Sequence, residues 1–249
     1  MVGGGLAALA AAISAVDNGA TVLLVNKGIS GKSGSSAKAA GILAAAFGHG
    51  DLETRPVPDN PDKHARDTLE VGCHIGDPKL VNFVAKQATS AIHWLESLGV
   101  EFSRAEDGGY IQLNAPGNSC PRAVSAIGGG QAIVSALLHQ AKARGVMFLD
   151  ETIVRDIKPI EAHQFLVTLQ GRQTISITTG AAVLAAGGAT GLFPTVSGDK
   201  GNIGTSIMLG YDIGAKLKNL EFVEFTLIYR VKSKILRIAG MAPFLSRGG

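Results

Sequence analysis

The chain has 249 residues, of which 46% are hydrophobic, 17% charged and 5% aromatic, a balance that buries a sizeable core and excludes intrinsic disorder. Its net charge of +3 is small and scattered, with no basic run interleaved with aromatics, so the electrostatic footprint of a nucleic-acid binder is missing. The 33 glycines and several alanine-rich runs point instead to a layered α/β protein whose backbone comes close to a ligand.

Met1-Val2 leads at once into Gly3-Gly4-Gly5, so any strand ahead of the glycines is expected to be mostly missing. An alanine-rich helix follows from about Leu6 to Asn18, stopped by Gly19. Thr21–Val25 is a short apolar run with the look of a buried parallel strand. A glycine- and serine-rich loop covers Gly28–Ser36, and a proline-punctuated loop surrounds Arg55–Pro58. Asp77-Pro78, an N-cap aspartate with proline at the first helical position, opens a helix whose apolar residues Leu80, Val81, Val84, Ala88, Ile92 and Leu95 recur at helical spacing up to Gly99. A second helix spans about Gln131–Arg144.

From Val146 the period switches to that of strands: Val146–Leu149, Ile153–Ile157, Phe165–Leu169, Ile175–Thr178 and Ala181–Ala186. A turn at Gly187-Gly188, a short helix near Thr205–Leu209 and a strand over Leu217–Phe225 complete the order. No stretch reaches the roughly 18 unbroken apolar residues of a membrane span, and the apolar opening lacks the basic start and cleavage site of a signal peptide. Cys73 and Cys120 form no CxxC and read as free thiols in a reducing compartment, so the expected location is cytoplasmic. The 6 histidines show no metal-ligand spacing, and no metal is expected.

Three stretches carry chemistry. Gly3-Gly4-Gly5-Leu6-Ala7-Ala8 is a G-x-G-x-x-A at the mouth of a helix. Gly3 permits a tight turn, Gly5 lets backbone approach a pyrophosphate, and Ala8 is small enough for close helix–sheet packing, while the helix N-terminus offers free N–H groups. Leu6 and Ala7 complete that candidate set. Asn26 ends the following strand 23 residues after Gly3, close to the roughly 20 at which a ribose-binding acid is usual; its amide can accept from a hydroxyl, though it reads equally as a turn residue before Lys27-Gly28. Lys32-Ser33-Gly34-Ser35-Ser36-Ala37 has, by composition, the character of a flexible loop.

Gly31-Lys32-Ser33-Gly34-Ser35-Ser36, lying just after Val25-Asn26-Lys27-Gly28, resembles the flavin loop of the succinate dehydrogenase, fumarate reductase and L-aspartate oxidase flavoprotein family. His64–Leu69, Gly76–Val81, Val183–Ala189, Gly198-Asp199 and Leu220–Phe225 are similar to further family segments, in the family's order and over almost the whole chain. The resemblance implies a three-layer Rossmann-like FAD-binding domain, a parallel sheet with an added antiparallel strand layer, over residues 1–225, and over 226–249 the start of a truncated capping (substrate) domain. It implies that Gly3, Gly5 and Ala8 hold the FAD pyrophosphate and that Asn26 and Lys27 meet the adenosine. Ser33, Gly34, Ser35 and Ser36 would then line the pyrophosphate and flavin side, the Val154 backbone would touch adenine, Ala186, Gly187 and Gly188 would pass close to the cofactor, and Asp199 would lie near the ribityl chain.

Two departures matter. Members with covalent FAD carry a histidine where this chain has Gly34, which implies noncovalent binding. The dicarboxylate enzymes continue their Glu-Phe-x-x-Phe strand into His-Pro-Thr, whereas this chain reads Phe225-Thr226-Leu227-Ile228-Tyr229, so the substrate class is left at a small organic molecule such as a carboxylic acid. The family's catalytic arginine is not matched, and no catalytic residue is assigned. The implied activity is hydride transfer between FAD and that substrate, with an electron-transfer partner. The residues alone leave two alternatives open: a noncatalytic nucleotide-binding fragment or gene remnant, and an NAD-dependent dehydrogenase with the same glycine turn.

Overall fold

A computed structural model of the protein describes residues 1–48, 59–223, 228–231 and 234–237. The proline-punctuated loop at Arg55–Pro58, His49, and the end of the expected last strand at Glu224-Phe225 lie outside the described residues, as does most of 226–249. In chain order the elements are α1 (Leu6–Asp17), β1 (Leu23–Val25), α2 (Ser35–Lys38), β2 (Ile42–Ala44), α3 (Pro61–Val71), α4 (Pro78–Ser97), β3 (Gln112–Leu113), β4 (Ala123–Ser125), α5 (Gly129–Ala143), β5 (Met147–Leu149), β6 (Ile153–Glu161), β7 (Gln164–Gln170), β8 (Thr174–Thr179), a 3-10 turn at Thr190–Leu192, α6 (Thr205–Asp212), β9 (Ile228–Val231) and β10 (Lys234–Arg237). They fall into two compact units: Met1–Ala39 with Ile133–Leu227, and Ala40–Ala132 with the chain from Ile228 onward.

The first unit is the expected α/β layering. β1 pairs in parallel with β5, Leu24 opposite Phe148. Val2 bridges in parallel to both Val25 and Leu184, so it is one residue of a strand between two others. Because that strand is so short, the expected strand Ala181–Ala186 is reduced to the single bridge at Leu184. β6, β7 and β8 form a separate antiparallel sheet. Val2 and Val25 from the parallel layer pack with Val154, Ile157, Val167 and Leu169 from the antiparallel one and with Leu209 of α6, all buried. Burial of such side chains stabilises by about 1.5–3 kcal/mol each.

Local signals explain the helix ends. At α1 the Gly19 N–H donates to Val16 O and the Ala20 N–H to Ala15 O, with Gly19 at φ 85°. This doubly bonded C-terminal turn needs a left-handed residue, which glycine adopts without strain. Gly99 and Gly145 close α4 and α5 with the same pair of bonds. In α1, Ala8, Leu9, Ala12 and Ile13 are fully buried, the small residues allowing close approach.

In the second unit β2, β4 and β3 make a small antiparallel sheet in that order, and α3 packs on α4. Asp77 caps α4 by accepting from Lys79 N–H at 2.9 Å, and Asn60 caps α3 by accepting from Lys63 N–H at 2.8 Å. A buried ionic node ties this unit together. The Arg122 guanidinium, with no exposed surface, pairs with Asp59 at 2.7 Å and Asp67 at 2.5 Å. Burial alone would raise the Asp67 carboxyl, but the Ser119 N–H and hydroxyl and Arg122 together bring it down to about 2.

One expected element is absent. Leu217–Val223 is not a strand: Asn219 sits at φ 62°, a left-handed conformation that interrupts an extended run, and the Phe222 N–H turns back to Asn219 O. Leu220 and Phe222 are both more than half exposed there.

Candidate functional site

The site grows from the glycine turn between Val2 and α1. Gly3 has φ 118°, and a Cβ there would stand 2.3 Å from Ala185 O, so two backbones cross where no side chain fits. Gly5 caps α1 with no side-chain bond of its own. Its place is taken by Ser36, whose Oγ accepts from the Leu6 N–H at 3.2 Å. The amides of Gly5 and Ala7 have no protein acceptor among the described residues. Free N–H groups at the positive end of a helix dipole form a ready anion site.

At the end of β1 the Asn26 N–H donates to Leu149 O and the Thr152 N–H donates to Asn26 O, both at 3.0 Å, fixing the backbone. The Asn26 side chain, buried, donates from Nδ2 to Ser33 Oγ at 3.0 Å. Lys27 donates from Nζ to Gly201 O. Asp199 is held from several sides: Lys38 Nζ at 2.7 Å, the Gly201 N–H at 2.7 Å, and its own N–H donating to Ser35 Oγ at 3.0 Å. The Lys38 ammonium first, then the Gly201 N–H, hold its carboxyl below the usual carboxylate range, so it is ionised at neutral pH.

These groups line one cavity of ≈ 770 Å³ within the first unit, inside the range usual for cofactor pockets. Gly3, Gly5, Leu6, Ala7, Asn26, Lys27, Ser33, Gly34, Ser35, Ser36, Val154, Ala186, Gly187, Gly188 and Asp199 all border it. Ala8 does not; it is fully buried under α1, where its small side chain serves packing. The cavity also takes in Gly4, Thr152, Ile153, Asn202 and Ser206, which sequence reasoning missed. Asn202 and Ser206 had a weak signal, following Asp199 closely; Thr152 had none, since its place depends on β5 lying beside β1.

A parallel strand, a glycine turn and a helix N-terminus opening on a deep cavity, backed by an antiparallel layer, define a dinucleotide-binding domain of Rossmann type. The chain matches the model of the FAD binding domain family over residues 1–239 and belongs to that family. It is 32% identical over 226 residues to the L-aspartate oxidase of Saccharolobus solfataricus, covering 90% of this chain and 43% of that protein. To a chain of the CoM/CoB fumarate reductase of Methanothermobacter marburgensis it is 29% identical over 230 residues, covering 90% and 41%. Among solved structures, the open conformation of a flavocytochrome c3 fumarate reductase superposes with TM-score 0.81 at 24% identity, over 95% of this chain and 43% of that one, a likeness of fold. The chain thus spans about two-fifths of the length of the curated relatives it matches.

FAD is the cofactor of this family, and the residues present fit it. The Gly3 crossing leaves bare backbone, and the free amides of Gly5 and Ala7 suit a pyrophosphate. Asn26 offers an acceptor at the end of β1, and Gly34, at φ 90° with no atom within 4 Å of a would-be Cβ, presents backbone only. Among the described residues no helix is long and apolar enough to cross a membrane.

Proposed function

We propose that the chain is the FAD-binding part of a flavin-dependent oxidoreductase that holds FAD noncovalently. The observation that carries this reading is the single cavity joining the α1 N-terminus, Asn26 at the end of β1 and the Ser33–Ser36 loop. The α1 amides would bind the pyrophosphate, Asn26 and Lys27 the adenosine, and the Ser33–Ser36 loop with Ala186–Gly188 and Asp199 the flavin half. When bound, FAD supplies hydride transfer with a small organic substrate; the chain's residues bind and orient it. The relatives' names favour a carboxylic acid as that substrate, and an electron-transfer partner completes the turnover. FAD binding is assigned to residues 1–225, with a substrate-capping part beginning at 226. The free thiols of Cys73 and Cys120 favour a reducing, cytoplasmic setting.

The test is direct. The purified chain is mixed with FAD, freed of excess and scanned for visible absorbance. Flavin bands that stay with the protein, and pass into the supernatant on denaturation, are the expected result. A folded chain without flavin bands refutes the proposal.

A further inference from the structure

Within the proposed FAD site, proton bookkeeping around Asn26 sets which end of its amide faces the cavity. The Ser33 hydroxyl has one proton, and Oγ donates it to Ile29 O at 2.9 Å. Toward Asn26 that oxygen is then an acceptor, and the amide must present Nδ2 to it, at 3.0 Å. The surroundings leave little slack. A Cβ on Gly4 would stand 2.5 Å from Asn26 Nδ2 and 2.7 Å from its Cγ, so the amide packs directly against bare backbone. A Cβ on Gly28 would stand 2.7 Å from both Cβ and Oγ of Ser33, so the serine is equally confined. With Nδ2 committed, Oδ1 has no protein donor among the described residues and Asn26 borders the cavity.

We infer that Ser33 is a positioning residue. By accepting from Asn26 Nδ2 it holds Oδ1 as the acceptor for a ribose hydroxyl of the adenosine half. A neutral amide can do the work of an acid at this place only if it is prevented from turning, because the reversed amide would present a donor. This rests on the FAD reading above. It adds that a serine of the flavin-side loop governs recognition of the adenosine end through Asn26, without itself touching the ribose.

The test compares ADP with 2′,3′-dideoxy-ADP, which lacks the hydroxyls, by calorimetric titration of the full chain, with FAD binding as a reference. In Ser33→Ala the affinity for ADP is expected to fall roughly three- to tenfold, the worth of one neutral hydrogen bond, while the dideoxy ligand binds as it does to the parent. In Asn26→Asp either carboxylate oxygen accepts. Adding Ser33→Ala to that variant is therefore expected to leave the ADP to dideoxy-ADP ratio unchanged. Equal losses for both ligands in Ser33→Ala, or no loss for either, would overturn the positioning role, as would the same ratio change with and without Asn26→Asp. A parent chain that binds FAD while Ser33→Ala fails in one of these ways overturns only this inference; a parent that binds neither FAD nor ADP overturns the function proposed above.

Discussion

Replacing Gly3 by alanine puts one methyl group where two backbones cross. The new Cβ would lie 2.3 Å from Ala185 O, 2.7 Å from Ala185 C and 3.0 Å from Ala186 Cα, with φ at 118°. None of these atoms is the end of a flexible side chain. Relief requires the Val2 and Ala185 segments to part by about 1 Å, the shortfall from ordinary contact, which strains the bonds joining them, Val2 N–H to Val183 O and Ala185 N–H to Val2 O, both 2.8 Å. Backbone strain of about 1–3 kcal/mol and overpacking of similar size give a loss of about 2–6 kcal/mol, against a total of about 5–15 kcal/mol for a folded domain. Thermal denaturation followed by circular dichroism should show Tm lowered by about 5–20 °C. Gly5→Ala is the matched control: φ is −88° and the nearest atom is the Ser36 hydroxyl oxygen at 3.1 Å, a contact relieved by a shift of a few tenths of an ångström that keeps its bond to the Leu6 N–H. That variant should keep its stability to within about 1 kcal/mol and lose affinity for FAD, because its methyl group stands at the phosphate approach. A Gly3→Ala chain melting with the parent would refute the close crossing, and with it the argument that the turn is shaped for a backbone-lined cofactor.

Asp67→Asn leaves the buried Arg122 guanidinium with Asp59 as its only carboxylate partner among the described residues and should cost about 3–5 kcal/mol in urea denaturation. The parent gains stability from the depressed Asp67 carboxyl that is fully present above its unfolded value near 3.8 and fades as pH falls toward about 2; a denaturation series over that window should lose this slope in Asp67→Asn. Lys38→Ala removes a pair whose lysine is 54% exposed, so stability should change by less than about 1 kcal/mol, while the Asp199 carboxyl, followed by NMR titration, moves back up toward its usual range. Leu169→Ala empties a fully buried position between the two layers and should cost about 2–5 kcal/mol, with an unchanged urea m-value.

What could be read in the sequence follows from how local each signal is. α1, α4 and α5 were legible because capping and termination are written within a turn of the helix: Asp77-Pro78 at one start, Gly19, Gly99 and Gly145 at three ends. α3 was missed although Asn60-Pro61 carries the same cap, because its buried residues His64, Ala65 and Asp67 are mostly polar and give no apolar stripe. β2 and β3 were missed for a related reason: two- and three-residue strands are too short to show a period, and they exist only because β4 lies between them. The expected strand over 217–225 fails in its described part, 217–223, at one residue, since an asparagine tolerates the left-handed conformation that breaks a ladder and Leu217, Leu220 and Phe222 around it do not reveal it.

The same distinction explains why the glycine turn could not by itself separate FAD from a nicotinamide dinucleotide. In the proposed site Gly3, Gly5 and the α1 amides would meet a pyrophosphate, which both cofactors carry. In that reading the discriminating part would be the far side of the cavity, where two loops distant in sequence are bound to each other. Ser35 Oγ accepts from the Asp199 N–H at 3.0 Å and from Asn202 Nδ2 at 2.9 Å, and the Asp199 carboxylate takes Lys38 Nζ and the Gly201 amide, both at 2.7 Å. A carboxylate held by Lys38 and the Gly201 amide is a fixed feature of the wall, and the bonds to Ser35 Oγ tie the Gly34–Ser36 segment to it. No spacing within either loop encodes that meeting; it depends on the sheet bringing residue 35 to residue 199. Composition alone makes Lys32–Ala37 a flexible loop, and its fixed shape comes from these long-range bonds. In the proposed FAD site, the half that would read a common pyrophosphate is therefore local in sequence, and the half that would select the cofactor is a property of the fold.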